Sequence, residues 1–263
     1  MVNLFRGRGR QKPQREQPVT NATQVLPETN WADDPMPSGV PAAGRVVITI
    51  SRQFGSGGAE IGRILAKECG FDYVDNEIID EVARRLVVDP QQVANKDEQT
   101  TGMAGHILEA IQSSHLFNVN YGAFFGTEST PDQSKIQELA YLHLTQKVIL
   151  EVAAQGNAVI IGRGSQFLLH HMPRTLHIYV FAPLPDRIEN VKLHFHLNQL
   201  QAKDLIEQRD SEFSSYQRHY YGSDGQQPDL YHLLINTSLF PLDLAANLIQ
   251  QSLPLLEKMG QDR

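Results

Sequence analysis

Gly55-Ser56-Gly57-Gly58 is the segment with the clearest capacity for chemistry. Glycines let a backbone turn sharply and approach a ligand closely. The run Val46-Val47-Ile48-Thr49-Ile50 precedes them, and Ile61, Ile64, Leu65 and Cys69 follow at helical spacing. A glycine loop between a strand and a helix presents free N–H groups and a positive dipole end, which together make a phosphate cradle. The standard loop, G-x-x-x-x-G-K-[ST], is met only in part. With Gly57 as its second glycine, Arg52 stands at the first, Gly58 at the lysine and Ala59 at the hydroxyl residue. The lysine that reaches the β- and γ-phosphates and the hydroxyl that ligates magnesium are both absent. Arg52 is the nearest cation that can substitute. On the loop alone, a glycine turn that merely joins strand to helix is the alternative.

The elements that must position this loop are readable along the chain. Val46 to Ile50 is short and β-branched, as in a strand buried on both faces of a parallel sheet. Gly70 supplies a stop to the first helix, and Phe71 to Val74 can form a second strand. Asp75 or Asn76 can cap a helix carrying Ile78, Ile79, Val82 and Leu86. Asp89-Pro90 reads as another helix start, and Ile107, Leu108 and Ile111 mark a helix. Phe117 to Pro131 is a patternless loop, and Ile136 to Val152 a long helix. Strand signals return at Ala158–Ile161, Thr175–Phe181 and Leu233–Asn236. Helices are expected from about Asp186, over about Ala202 to Arg218, and over about Leu242 to Leu256. Alternation of apolar strands with helices predicts an α/β fold, a parallel sheet with helices on both faces.

Composition narrows the functions available. The chain has 263 residues, 41% hydrophobic, enough for a sizeable core. Its net charge of -7 disfavours non-specific binding to nucleic acid or anionic lipid. The single cysteine, Cys69, excludes an intrachain disulfide and reads as core. His170-His171 and His194-Phe195-His196 bring no third ligand at recognisable spacing. No apolar run approaches a membrane span and no secretory segment opens the chain, so a cytoplasmic location is expected. Residues 1–44 are proline-punctuated, with a basic start, and read as a disordered tail before one domain over 45–263.

Val47-Ile-Thr-Ile-Ser-Arg-Gln-Phe-Gly-Ser-Gly-Gly-Ala-Glu-Ile61 resembles the opening of the cytidylate kinase-like family, a branch of the P-loop nucleoside monophosphate kinases. That branch itself carries Ser-Arg and Gly-Ser-Gly-Gly in place of the lysine loop. Further matches come in order: Phe71 to Asp75 with the acidic helix after it, Val159 to Gly164 with its Gly-Arg-Gly, and Leu176 to Ile188. Tyr216, Tyr220 and Tyr221 resemble the family's tyrosine-bearing lid, and Leu234 to Ser238 its final strand. The resemblance spans about residues 46 to 250. It implies a P-loop NTPase-type sheet with lid and acceptor-binding helical regions, and transfer of the γ-phosphoryl of ATP, with Mg2+, to CMP, dCMP or a related acceptor.

Phosphoryl transfer is mainly positioning and charge neutralisation, and roles follow from that. Gly55, Ser56, Gly57 and Gly58 are expected to hold the ATP phosphates, with Arg52 as a further contact. Arg163, after a strand end, has the planar fork that suits an acceptor phosphate. Asp75 can bind acceptor hydroxyls or a magnesium-bound water, or simply cap its helix. Arg209 and Arg218 can close from the lid, or lie on a solvated helix face. The chain departs from the family at Ala59, where arginine is usual, and in the lid, where Asp210-Ser-Glu-Phe replaces Asp-Lys-x-Arg. A further lysine near the lid's end is replaced within Gly222-Ser-Asp-Gly225. These losses leave open a second reading, a catalytically impaired nucleotide-binding regulatory protein on the same fold.

Overall fold

The computed structural model describes residues 45–88, 107 and 133–259. The expected tail to residue 44, the helix start at Asp89-Pro90, positions Leu108 and Ile111 and the loop from Phe117 to Pro131 lie outside the described residues. Strand β1 (Val47–Arg52) enters helix α1 (Gly58–Cys69), and β2 (Asp72–Val74) enters α2 (Asn76–Val88). The long α3 (Gln133–Gln155) leads to β3 (Ala158–Ile161) and the one-turn α4 (Ser165–Leu168). Next, β4 (Thr175–Phe181) leads to α5 (Leu184–Phe195) and α6 (Gln199–Tyr221). A 3-10 turn (Pro228–Leu230), β5 (Leu233–Asn236) and α7 (Leu242–Met259) complete the order.

The strands form one sheet in the order β2-β3-β1-β4-β5, every pairing parallel. Ile48 of the central strand lies opposite Val159 on β3 and Leu176 on β4. The carboxyl ends of all five strands therefore share one edge, where open α/β sheets bind ligands.

Successive side chains of a strand point to opposite faces, and both faces are covered here, which is why the strands read as unbroken apolar runs. Val47, Val74, Ala158 and Ile160 pack with Ile79 and Val82 of α2 and Val148, Ile149 and Val152 of α3. Ile48, Ile50, Val159, Ile161 and Ile178 pack with Ile61 and Leu65 of α1 and Ala245 and Ile249 of α7. Each fully buried side chain of this size contributes roughly 1.5–3 kcal/mol. A third cluster joins Ile188 and Val191 of α5 to Ala202 and Ile206 of α6, with Phe54 against it. The α6 start is fixed by a capping box: Asn198 accepts from the Gln201 N–H at 3.0 Å, and Gln201 accepts from the Asn198 N–H at 3.1 Å. The α1 stop expected at Gly70 is present, with its N–H bonded to the Ala66 carbonyl.

A buried polar pair interrupts the apolar sheet. Thr49 Oγ1 lies 2.7 Å from His177 Nδ1, and both residues are buried. His232 Nδ1 accepts from the His177 N–H at 2.9 Å, with the two rings stacked 5.2 Å apart. Burial, then the neighbouring His232 and His170, push the His177 imidazole down to about 4. The unfolded chain binds this proton below about pH 6.5, whereas the folded chain refuses it until about pH 4, so stability present above pH 6.5 is lost as pH falls between the two. We expect urea unfolding to show an acid-side loss of about 3 kcal/mol from this site between pH 7.5 and 4. His177→Gln should flatten that part of the profile, and an unchanged slope would refute the assignment.

Candidate functional site

The loop from Gln53 to Gly57 is held from outside by its carbonyls and by selected N–H groups. Asn190 Nδ2 donates to the Gly55 carbonyl at 3.1 Å, and Thr237 Oγ1 donates to the Ser56 carbonyl at 2.7 Å. Asp210 Oδ1 accepts from the Phe54 N–H at 2.9 Å. Arg187 Nη1 donates to the Phe54 carbonyl at 3.2 Å and to Asp210 Oδ2 at 2.5 Å. Arg187 is buried and Asp210 partly so. Elements α5, α6 and the β5–α7 turn thus grip one short loop. Gly57 closes it at φ +84, where a Cβ would also lie 2.7 Å from Leu242. Both the backbone angle and that contact demand glycine. The first-turn N–H groups of α1 have no intrahelical acceptor by construction, and Gly57, Gly58, Ala59 and Glu60 line the adjoining cavity.

That cavity, of about 880 Å³, opens at the carboxyl edge of the sheet. Arg52, Gly55, Gly57, Gly58, Asp75, Arg163 and Arg209 line it together. Two residues named from sequence stand elsewhere. Ser56 is buried, with its hydroxyl directed at the Gln53 and Val180 carbonyls, 2.8 and 3.2 Å away. Its side chain braces the loop from within. Arg218 is exposed and outside the cavity. At ~100° per residue, Arg209 and Arg218 fall on opposite faces of α6. The face that does reach the cavity carries Leu205, Arg209, Glu212, Phe213 and Tyr216.

The cavity's charged groups are in different states of commitment. Arg163 Nη2 pairs with Asp80, which also accepts from Tyr141 Oη at 2.7 Å. The Arg163 guanidinium lies 5.3 Å from the centre of the Tyr216 ring. Burial opposes its charge, but Asp80 more than offsets this by proximity and hydrogen bonding, so its pKa stands above the ordinary value. Burial and the Asp80 hydrogen bond push Tyr141 up to about 12. Arg163 itself sits at φ +53, a left-handed conformation costly to a residue with a Cβ. Beside it, a Cβ on Gly164 would lie 2.2 Å from the Tyr221 ring, which stacks on Phe167 and whose hydroxyl donates to the Arg163 carbonyl at 3.4 Å. The Gly-Arg-Gly turn is therefore clasped by the end of α6.

Arg52 differs. Among the described residues it makes no ion pair, and burial pulls its pKa below the ordinary value, against the fields of Tyr73, Glu60 and Asp75. An arginine stays charged at neutral pH regardless. Asp75 Oδ1 accepts from the Glu77 and Ile78 N–H groups at 3.1 and 3.2 Å, so it is the cap of α2 as well as a cavity residue. Among the described residues Arg209 makes only an exposed pair with Glu212, at 3.3 Å. Sequence reasoning missed Asp80, Arg63, Arg187, Asn190 and Thr237. Asp80 was findable: it follows Asn76 by one helical turn and so shares its cavity-facing side. The others act across long sequence separations that leave no local pattern.

A parallel sheet with a glycine loop entering a helix N-terminus, and cations gathered at the strands' carboxyl edge, is a P-loop kinase-type architecture. The cytidylate kinase-like family model matches residues 47–239. The chain belongs to that family. No curated protein matches it in sequence. Among solved structures, a protein from Eubacterium ventriosum is 16% identical, with TM-score 0.57 over 80% of this chain and 99% of that one. Shikimate kinase from Acinetobacter baumannii in complex with shikimate is 14% identical, with TM-score 0.39 over 79% and 92%. Dephospho-CoA kinase from Campylobacter jejuni is 12% identical, with TM-score 0.31 over 79% and 96%. Likeness at such identities concerns the fold, not the activity.

The grip on the loop has a measurable consequence. Asp210→Ala leaves buried Arg187 with one acceptor and the Phe54 N–H with none, at a cost of about 2 kcal/mol. Adding Arg187→Met removes the stranded charge, so in denaturant unfolding the double variant should be the more stable of the two. A double variant no better than the single would contradict the pairing as described.

Proposed function

We propose that the cavity carries out ATP-dependent phosphoryl transfer to a nucleoside monophosphate, CMP or dCMP first among them. The supporting observation is the meeting, in one cavity, of α1's first-turn N–H groups with the Arg52 guanidinium, which has no ion-pair partner among the described residues. Amide donors and a guanidinium fixed before substrate arrives stabilise phosphoryl charge without reorganisation. In this reading Gly55, Gly57 and Gly58 seat the ATP phosphates through their backbone. Arg52 spans from that cradle toward the acceptor, and Arg163 and Arg209 flank the transfer. Arg218 faces away from it and Ser56 contributes only its backbone.

Magnesium would neutralise phosphate charge in such a transfer and is commonly held by one or two carboxylates and the phosphates themselves. Asp75 fits that role with Oδ2, since Oδ1 is committed to the helix cap. No cluster of three or more metal-binding side chains occurs among the described residues, and such a cation needs none. Nucleotides are accordingly the proposed partners and the cytoplasm the proposed compartment. No helix among the described residues is long and apolar enough to cross a membrane.

A second reading, a nucleotide binder of little turnover, is favoured by one observation. The lid aspartate, Asp210, is spent on gripping the loop, and the nearest lid cation, Arg209, is paired with Glu212. The deciding experiment is ADP release from Mg-ATP across a panel of nucleoside monophosphates. Stimulation by CMP is expected, with Gly57→Glu inactive because its Cβ would meet Leu242 and its backbone would not hold the loop at φ +84. Arg52→Ala should lower kcat/KM by about 10²-fold or more. Retained ATP binding without stimulated release by any monophosphate selects the second reading.

A further inference from the structure

We infer that Arg52 and Arg63 together form the subsite for the acceptor's phosphate, and that Arg163 does not. This rests on the kinase reading above and names the group that reads the acceptor's charge. Arg52 crosses the N-terminus of α1: a Cβ on Gly58 would lie 2.8 Å from its Cβ and 3.2 Å from its Cδ. Its Nη1 then lies 3.4 Å from where a Cβ on Gly162 would stand, at the end of β3. Arg63 is further along α1, with its guanidinium 5.1 Å from the centre of the Tyr73 ring on β2. Helical side chains lean toward their own N-terminus, so Arg63 leans toward Arg52. Both arginines line the cavity, and among the described residues neither makes an ion pair.

Two like charges on one cavity wall repel, and the field of Arg63 opposes the charge on Arg52. An anion between them removes that cost. Glu60 and Asp75 act on Arg52 by field, but neither carboxylate hydrogen-bonds to it. The same wall carries two buried polar atoms without partners among the described residues, Tyr73 Oη and Asn76 Oδ1. The phenol can donate to an anion, and the amide oxygen can accept from a hydroxyl. Two guanidinium forks and a phenol offer more donors than a carboxylate's two oxygens use, and suit the three oxygens of a phosphate monoester. Arg163, by contrast, is already neutralised by Asp80 and stacked on Tyr216, so a phosphate there would have to displace a carboxylate.

The test is calorimetric binding of monophosphates and their matching nucleosides to ADP-loaded protein, beginning with CMP and cytidine. Arg63 is exposed, so its replacement leaves the fold intact. In Arg63→Gln the monophosphate-to-nucleoside affinity ratio should fall by about tenfold or more, with partial rescue in Arg63→Lys. ADP affinity should stay within about twofold. A ratio unchanged in Arg63→Gln, or one lost only in Arg163→Gln, overturns the inference. If no monophosphate binds, the kinase reading fails, and inorganic phosphate then decides the subsite separately. Phosphate should raise the Tm of the ADP-loaded wild type and leave Arg63→Gln unmoved. No phosphate-dependent shift in the wild type overturns the subsite as well.

Discussion

The hold on the carbonyls of the glycine loop is the interaction on which the rest of the site depends. A loop rich in glycine has many conformations to lose, and the chain must offset that entropy to keep one. It does so with Asn190, Thr237 and the Arg187–Asp210 pair, drawn from α5, α6 and the β5–α7 turn. Because the carbonyls are held from the far side, the N–H groups at the α1 end are left facing the cavity. A cradle made this way needs no lysine to shape it, since its form is set by partners outside the sequence motif. The Ser56 hydroxyl belongs to the same scaffold, tied to two backbone carbonyls and unavailable to a ligand.

The arginines of the site divide by what they are bonded to. Arg187 and Arg163 each have a carboxylate, and their charge is consumed in structure: one fastens α6 to the loop, the other fastens α2 and α3 to the Gly-Arg-Gly turn through Asp80 and Tyr141. Removing the carboxylate would strand a buried charge at Arg187 and a half-buried one at Arg163, which makes both pairs poor candidates for binding an incoming anion. Among the described residues Arg52 and Arg63 have no such carboxylate, and both stand on the cavity wall. Proximity to the loop is therefore a weaker guide to function than the absence of a structural partner.

The sheet was largely legible in the sequence, because strands buried on both faces leave apolar runs with abrupt ends. The readings of Ala158–Ile161, Thr175–Phe181 and Leu233–Asn236 coincide with β3, β4 and β5. Helix α6 extends a few residues beyond the expected Ala202 to Arg218, since the capping box at Asn198 starts it earlier and Gly222 ends it later. The one-turn α4 left no periodic signal, being shorter than a period can reveal. That Arg52, Asp75 and Arg163 stand at strand ends, and so line the cavity, was legible for the same reason as the strands. Arg218 was not, because its placement depends on helical phase relative to a cavity that the sequence does not display. The Phe54–Asp210 bond joins residues far apart in the chain, and no local pattern announces such a contact.

The lid departures acquire a physical meaning from these contacts. A lid that closes over phosphates needs an open state of comparable free energy, with few contacts to break. Here α6 is fastened near its middle by Asp210 and at its end by Tyr221, whose ring lies on Gly164 and stacks on Phe167. Two attachments on one continuous helix favour a closed, pre-formed cavity over a swinging lid. Pre-organisation of this kind lowers the cost of fixing groups around a nucleotide. In the proposed transfer it would also remove the step by which mobile cations are delivered to the phosphoryl group. Loss of the cations from Asp210-Ser-Glu-Phe is consistent with that arrangement: a helix that does not swing in gains nothing from carrying them, and in the proposed transfer charge neutralisation would fall to Arg52 and the backbone of α1.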